Sequence, residues 1–162
     1  MSHKQLIPPP LTLHAQGVSY FDVTRLEWVM DMAGVTPIVN QYHIAVGLAD
    51  TVHHNITRVK SFCSSVAPPI HLEAFSTLSG GCMELATVRS IAEVHNVSAA
   101  MVCLRWIVQQ NMTVAVSSDE TAFDREDLAA ASTTNARLVL SDEEMSKLSA
   151  LGGSSTSRSA NA

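Results

Sequence analysis

The chain has 162 residues, of which 46% are hydrophobic and 15% charged, and its formal net charge is −5. This composition is typical of a folded domain with a real core, and it excludes a disordered chain and the basic footprint of a nucleic-acid-binding protein. The sequence has no apolar run long enough to span a membrane. Its three cysteines include no C-x-x-C pair, which predicts reduced thiols and a cytoplasmic location.

Short apolar segments alternate with helical patterns in the first third of the chain. A strand is expected near Leu11–Ser19, and Asp22 is a good N-cap for the helix that follows it. Gly34 is placed to end this helix, and the next strand is expected at Ile38–Gln41. The histidine-rich region 42–54 is predicted to be a loop.

The same alternation continues to residue 151. Two further strands are expected, at Ile70–Phe75 and Met112–Val116, and Ser98 is a good N-cap for a helix between them. Ser141 and Glu144 have the spacing of a capping box at the start of the last helix. Strands that alternate with helices predict a parallel sheet in sequential order, with helices covering one face.

Polar residues stand at the ends of three of these strands, in residues 17–21 (GVSYF), 37–41 (PIVNQ) and 72–78 (LEAFSTL). In a parallel β/α barrel, groups at the C-terminal ends of the strands form the active-site face. The order and spacing of these stretches resemble those of the aldo-keto reductases, whose strands carry GVSNF, then VNQ, then AYSPLG. Residues 100–106 also resemble the AQVALRW helix of that family.

The resemblance runs from about Gln16 to Leu151 and matches the second half of the family's barrel. A complete barrel needs roughly 250 residues, more than this chain has. The resemblance therefore implies a partial, truncated (β/α)8 barrel of about four parallel units. We expect a non-matching leader at 1–15, the half-barrel at 16–151 and a disordered tail at 152–162.

The resemblance implies a nicotinamide cofactor, NADP(H) or NAD(H). In the family, polar residues of the first two motifs hold the nicotinamide carboxamide, and the tyrosine of the third motif stacks on the ring. By position, Ser19 and Gln41 would make these hydrogen bonds and Phe75 would stack. Ser76 and Leu78, in the loop that follows Phe75, complete this part of the implied site.

Several positions depart from the family's pattern. Tyr20 replaces an asparagine, His43 stands near a glutamate and Thr77 replaces a proline. At the phosphate end the family often has IPKS followed by RxxEN, which residues 114–117 and 125–127 match in part. Ser117 matches the serine and Glu126 the glutamate of these two motifs. Val116, however, stands where a lysine would bind the 2′-phosphate, and a neutral side chain cannot make charge-assisted bonds.

The sequence assigns no catalytic residue. In the family, a tyrosine acts as the general acid, and a lysine, an aspartate and a histidine tune it, all from the first half of the barrel. Tyr20 and Tyr42 are the only tyrosines of this chain, and neither lies in that motif. Three interpretations stay open. The first is an oxidoreductase acting on a small carbonyl substrate that is incomplete or inactive as an isolated chain, the second is a non-catalytic half-barrel binding or interaction module, and the third is an incomplete gene product with no function of its own.

Other side chains with possible chemistry have simpler explanations. His43 and His53-His54 lack the spacing of metal ligands, and no metal site is predicted. Cys63 and Cys103 lie on apolar helical faces and are predicted to be core residues. Cys82 follows two glycines and is predicted to be the more exposed thiol.

An open half-barrel has two free sheet edges and an uncovered inner face. Four side chains are expected to contribute to an apolar inner face, depending on the register: Val39, Leu72, Ala74 and Val114. The sequence therefore predicts a homodimer or a complex with a complementary half-barrel chain.

Overall fold

The computed structural model describes residues 16–51, 55–117, 121–132 and 138–152. The leader 1–15, His53-His54 and most of the predicted tail lie outside the described residues. The strands are β1 (Gly17–Ser19), β2 (Val39–His43), β3 (His71–Phe75) and β4 (Thr113–Ala115). The helices are α1 (Val23–Ala33), α2 (Ile56–Ser65), α3 (Ala86–His95), α4 (Ala99–Val108), α5 (Thr121–Ala131) and α6 (Asp142–Ala150). A short 3₁₀ turn spans Cys82–Glu84.

The four strands of the described part form one parallel sheet in the order β1-β2-β3-β4. The predicted α/β fold with sequential parallel strands is therefore confirmed. In the register, Gln41 is the partner of both Ser19 on β1 and Glu73 on β3, and Phe75 is the partner of His43 and Ala115. The C-terminal ends of all four strands thus lie along one edge of the sheet.

Local signals set the helix ends as predicted. The Asp22 side chain accepts a hydrogen bond from the N–H of Arg25 at 2.9 Å, and Gly34 ends α1 with a φ of 63°. Glycine tolerates this left-handed conformation because it has no Cβ. Ser141 and Glu144 form the predicted capping box at the start of α6.

Side chains alternate between the two faces of the sheet, and the helices cover one face. Val18, Tyr42, Leu72, Ala74 and Val114 lie on the covered face, in one apolar cluster with residues of α1, α2 and α4. The prediction that Leu72, Ala74 and Val114 form an apolar inner face is therefore wrong. The register turns them toward the helices, and Val39 is left on the open face among polar neighbours.

A second apolar cluster joins α3, α4 and α6, with Val88, Leu104 and Leu148 fully buried. No single helix of the described residues is long and apolar enough to cross a membrane. The bent pair α3 and α4 passes that test by length and composition, and its buried apolar residues belong to the two apolar clusters, most of them to this one.

Arg105 is a buried charge within α4. Its Nη1 donates to the carbonyl oxygens of Ala130 and Ser132, at 3.2 and 2.7 Å, where α5 ends. A cation is favourable at a helix C-terminus because the last carbonyl groups are unsatisfied there. Arg105 therefore ties α5 to α4.

All three cysteines are about 1% exposed. The prediction for Cys63 and Cys103 is confirmed, and burial raises the pKa of Cys63 to about 11. The prediction of an exposed Cys82 is wrong. This residue begins the 3₁₀ turn, and its Sγ donates to the carbonyl oxygen of Thr77 at 3.3 Å inside the apolar cluster.

Candidate functional site

The open face of the sheet carries the side chains predicted to bind a nicotinamide. Ser19 and Gln41 are register partners, and Phe75 lies two residues beyond Glu73, which is the next partner of Gln41. Because residues at even spacing share a face, Ser19, Gln41 and Phe75 lie on one face near the C-terminal ends of neighbouring strands. Ser19 is exposed, whereas Gln41 and Phe75 are half-buried.

Gln41 is held by a residue that the sequence analysis did not single out. Its Nε2 donates to Oε1 of Glu73 at 2.7 Å. The signal that could have identified Glu73 is a carboxylate inside an otherwise apolar strand, since such a group needs a polar partner.

Aromatic rings flank the ends of β1, β2 and β3. The Tyr20 ring stacks on Tyr42 at 4.8 Å between centroids and 8° between planes, and it lies tilted against Phe75 at 6.3 Å. His43 stacks on Phe75 at 5.6 Å. Tyr20 has a φ of 60°, and its N–H donates to the carbonyl oxygen of Gln41 at 2.7 Å. These contacts give the site an aromatic wall.

Tyr42 is not suited to serve as a general acid near neutral pH. Burial raises its pKa above the ordinary value of 10.0, and the neighbouring Tyr20, Asp22 and Asp50 raise it further. An effective catalytic acid has a pKa near the working pH. Tyr42 is 1% exposed and belongs to the core on the covered face.

Asn40 fixes the loop that follows Ser19, a role that the sequence analysis missed. Its Nδ2 donates to the carbonyl oxygen of Phe21 at 2.8 Å, and its Oδ1 accepts from the N–H of Phe21 at 3.3 Å. Asn40 is 0% exposed. The signal that could have identified this role is an amide side chain at a position where strand alternation predicts burial. A buried amide needs hydrogen-bond partners in the protein.

A cavity of about 390 Å³ lies between the ends of β3 and β4, lined by residues 75–79 and 115–117. Four residues predicted for the cofactor line it together: Phe75, Ser76, Leu78 and Ser117. Thr77 also lines it and is 1% exposed, and its Oγ1 has no hydrogen-bond partner among the described residues. Glu126 lies in α5.

The lining of this cavity suits a ring and neutral polar groups better than a phosphate. Serine and threonine residues line it, and the Ser79 hydroxyl already donates to the carbonyl oxygen of Ser76 at 2.7 Å, whereas Val116 contributes only an apolar side chain. No lysine or arginine is among its lining residues. The described residues also contain no group of three histidine, cysteine or acidic side chains that could hold a metal ion.

No family model matches the chain. Glyoxal reductase from Bacillus subtilis is 31% identical over 144 residues, which cover 86% of this chain and 46% of the relative. NADPH-dependent codeinone reductase 1-2 from Papaver somniferum is 30% identical over 151 residues, which cover 88% of this chain and 43% of the relative.

Several solved structures are also similar to this chain. An aldo/keto reductase from Brucella melitensis is similar with a TM-score of 0.69 and 27% identity, over 83% of this chain and 47% of that one. A mutant of Gox0644 in complex with NADPH is similar with a TM-score of 0.71 and 26% identity, over 83% and 45%. The chain spans about half the length of these relatives, and its four parallel strands form a partial barrel of their type. Over this shared length, the chain belongs to the aldo-keto reductase superfamily.

Proposed function

We propose that the chain supplies the nicotinamide-binding part of an NAD(P)H-dependent carbonyl oxidoreductase in the cytoplasm. The observation that carries this proposal is the placement of Ser19, Gln41 and Phe75 on one sheet face near successive strand ends. Similarity to reductases whose names specify NADPH supports it. The bound cofactor would supply the hydride.

The residues of the chain would bind and orient the ring. Ser19 and Gln41 would hydrogen-bond the carboxamide, and Phe75 would offer an aromatic face for stacking. Ser76, Leu78 and Ser117 would line the adjoining part of the cofactor. Since Val116 carries no charge, the chain would bind NADP(H) and NAD(H) with similar, weak affinity.

Catalysis would need a proton donor from outside this chain. General acid catalysis contributes roughly 10²–10⁴-fold, and the resemblance assigns no residue of this chain to the role of that donor. We therefore propose that the isolated chain does not reduce carbonyl substrates at rates typical of enzymes.

The open face favours a particular kind of partner. It carries Gln41, His43, His71 and the carboxylate of Glu73, which forms no ion pair within the described residues. A second copy placed face to face would bring two such carboxylates together, and like charges repel. We propose a complementary half-barrel chain that brings hydrogen-bond donors or a cation. Sedimentation velocity over a concentration series tests this proposal, and a homodimer would contradict it.

Calorimetry of the full chain with NADPH and NADH tests the proposed site. Weak binding of both is expected, Gln41→Leu should abolish it, and Ser90→Ala, exposed on α3, should leave it unchanged. Val116→Lys should strengthen NADPH binding selectively. Absence of binding, or binding that is indifferent to Gln41, would refute the proposal.

An enzymatic assay tests the absence of catalysis separately. Turnover of a reactive aldehyde near 1 s⁻¹, typical of enzymes, would contradict this part if a change at Tyr20 or Tyr42 abolished it.

The alternative is a non-catalytic binding module. A cavity of about 330 Å³ on the helix side, lined by Ile44, Lys60, Trp106 and Leu148 among others, favours it. Burial lowers the pKa of Lys60, whose Nζ donates to Oε1 of Gln110 at 2.6 Å. Nicotinamide binding that persists in Gln41→Leu and is lost in Lys60→Met would support this alternative.

A further inference from the structure

The contact between Gln41 and Glu73 determines which way the Gln41 amide faces. The two residues are register partners on β2 and β3, and Nε2 of Gln41 lies 2.7 Å from Oε1 of Glu73. An ionised carboxylate can only accept hydrogen bonds, so the amide nitrogen must face it. This bond uses one of the two N–H groups of Nε2, and it turns the acceptor Oε1 of Gln41 away from Glu73, where it can meet a ligand.

Glu73 also leaves a negative charge beside this acceptor. It is half-buried, and it forms no ion pair in the part of the chain that the structure describes. A ligand group that donates an N–H would complement both oxygens. A ligand carboxylate would meet an acceptor and a like charge at the same place, which costs free energy.

We propose that Glu73 is a positioning and specificity-determining residue. It holds the Gln41 amide with Oε1 toward the ligand, and it thereby selects a heteroaromatic ring that bears a carboxamide over one that bears a carboxylate. The proposal rests on the proposed nicotinamide site. It adds a residue to that site and a preference among its ligands.

The positioning role is testable without any ligand. In ¹H–¹⁵N spectra of the full chain, the side-chain amide resonances of Gln41, assigned with Gln41→Leu, should shift in Glu73→Gln. The amide of Gln110, whose Nε2 donates to the carbonyl oxygen of Trp106 at 2.8 Å, is the internal control and should not shift. Unchanged Gln41 resonances would overturn the positioning role.

The specificity role is tested with NAD⁺ and its deamido analogue, which differ only in the carboxamide. The wild-type chain should bind NAD⁺ about tenfold more tightly, a difference of roughly 1.4 kcal/mol. In Glu73→Gln, where the Gln41 amide can turn over, this ratio should fall severalfold. Glu93→Gln removes an exposed charge from α3 and should leave the ratio unchanged.

The possible failures are distinguishable. A ratio that stays the same in Glu73→Gln would overturn the specificity role while leaving the nicotinamide site in place. If neither dinucleotide binds the wild-type chain, the proposed function fails and the specificity role fails with it. The spectra still decide whether Glu73 positions Gln41.

Discussion

Replacing Asn40 with alanine should destabilise the fold and disorder the loop that carries Ser19. The Asn40 side chain is fully buried and bonds both the N–H and the carbonyl oxygen of Phe21. Asn40→Ala removes two hydrogen bonds, each with a net value of about 1 kcal/mol, and leaves backbone groups without a partner at about 1–3 kcal/mol each. Because the loop can relax toward solvent, we expect a total loss of about 2–4 kcal/mol.

Urea unfolding followed by circular dichroism measures this loss. For a chain of this size the same change lowers Tm by about 2–4 °C per kcal/mol, which gives roughly 5–15 °C. Asn40→Asp keeps the shape and one acceptor but loses the donor, so it separates hydrogen bonding from lost volume. Ser90→Ala, on the exposed surface of α3, should change stability by less than about 0.5 kcal/mol.

The reasoning is refuted if Asn40→Ala changes the free energy of unfolding by less than about 0.5 kcal/mol, the range of ordinary surface substitutions. It is also refuted if Asn40→Asp matches the wild type, because the donor to Phe21 would then contribute nothing. A stable Asn40→Ala chain with weakened nicotinamide binding would confine the role of Asn40 to the site.

Three further predictions concern other parts of the fold. Gly152→Ala should cost about 1–3 kcal/mol in urea unfolding, because its Cβ would lie 2.7 Å from the carbonyl oxygen of Leu48, and an unchanged midpoint would contradict the close approach. Burial opposes the ionisation of Glu144, but hydrogen bonds from Ser141 and a neighbouring imidazole outweigh it and lower its pKa below the ordinary 4.5. The unfolded chain then binds more protons, so this stabilisation is present above pH 4.5 and is lost as pH falls through the folded pKa. Glu144→Gln should flatten the decline in urea stability below pH 4.5, and an identical decline would refute this. Cys82 should react with a thiol reagent only as fast as the chain opens, and rapid labelling of the folded chain would show that it is accessible.

The sequence determined the order and kind of most elements. Helix ends depend on local groups such as the Asp22 side chain and the Ser141–Glu144 pair, which act within one turn of the chain. Four parallel strands also followed from their alternation with helices, because a parallel connection needs a crossover. The resemblance of the strand-end motifs to those of the aldo-keto reductases assigned Ser19, Gln41 and Phe75 to one site.

The tertiary structure decided which way side chains face and what they touch. Strand faces depend on register, and a shift of one residue exchanges them, so Leu72 and Ala74 could not be assigned to the covered face from composition. Cys82 is buried because the 3₁₀ turn packs on the core, although two exposed glycines precede it. The Gln41–Glu73 bond joins residues 32 positions apart. Such a contact exists only when two strands pair, which is why the family resemblance could predict Gln41 but not the residue that orients it.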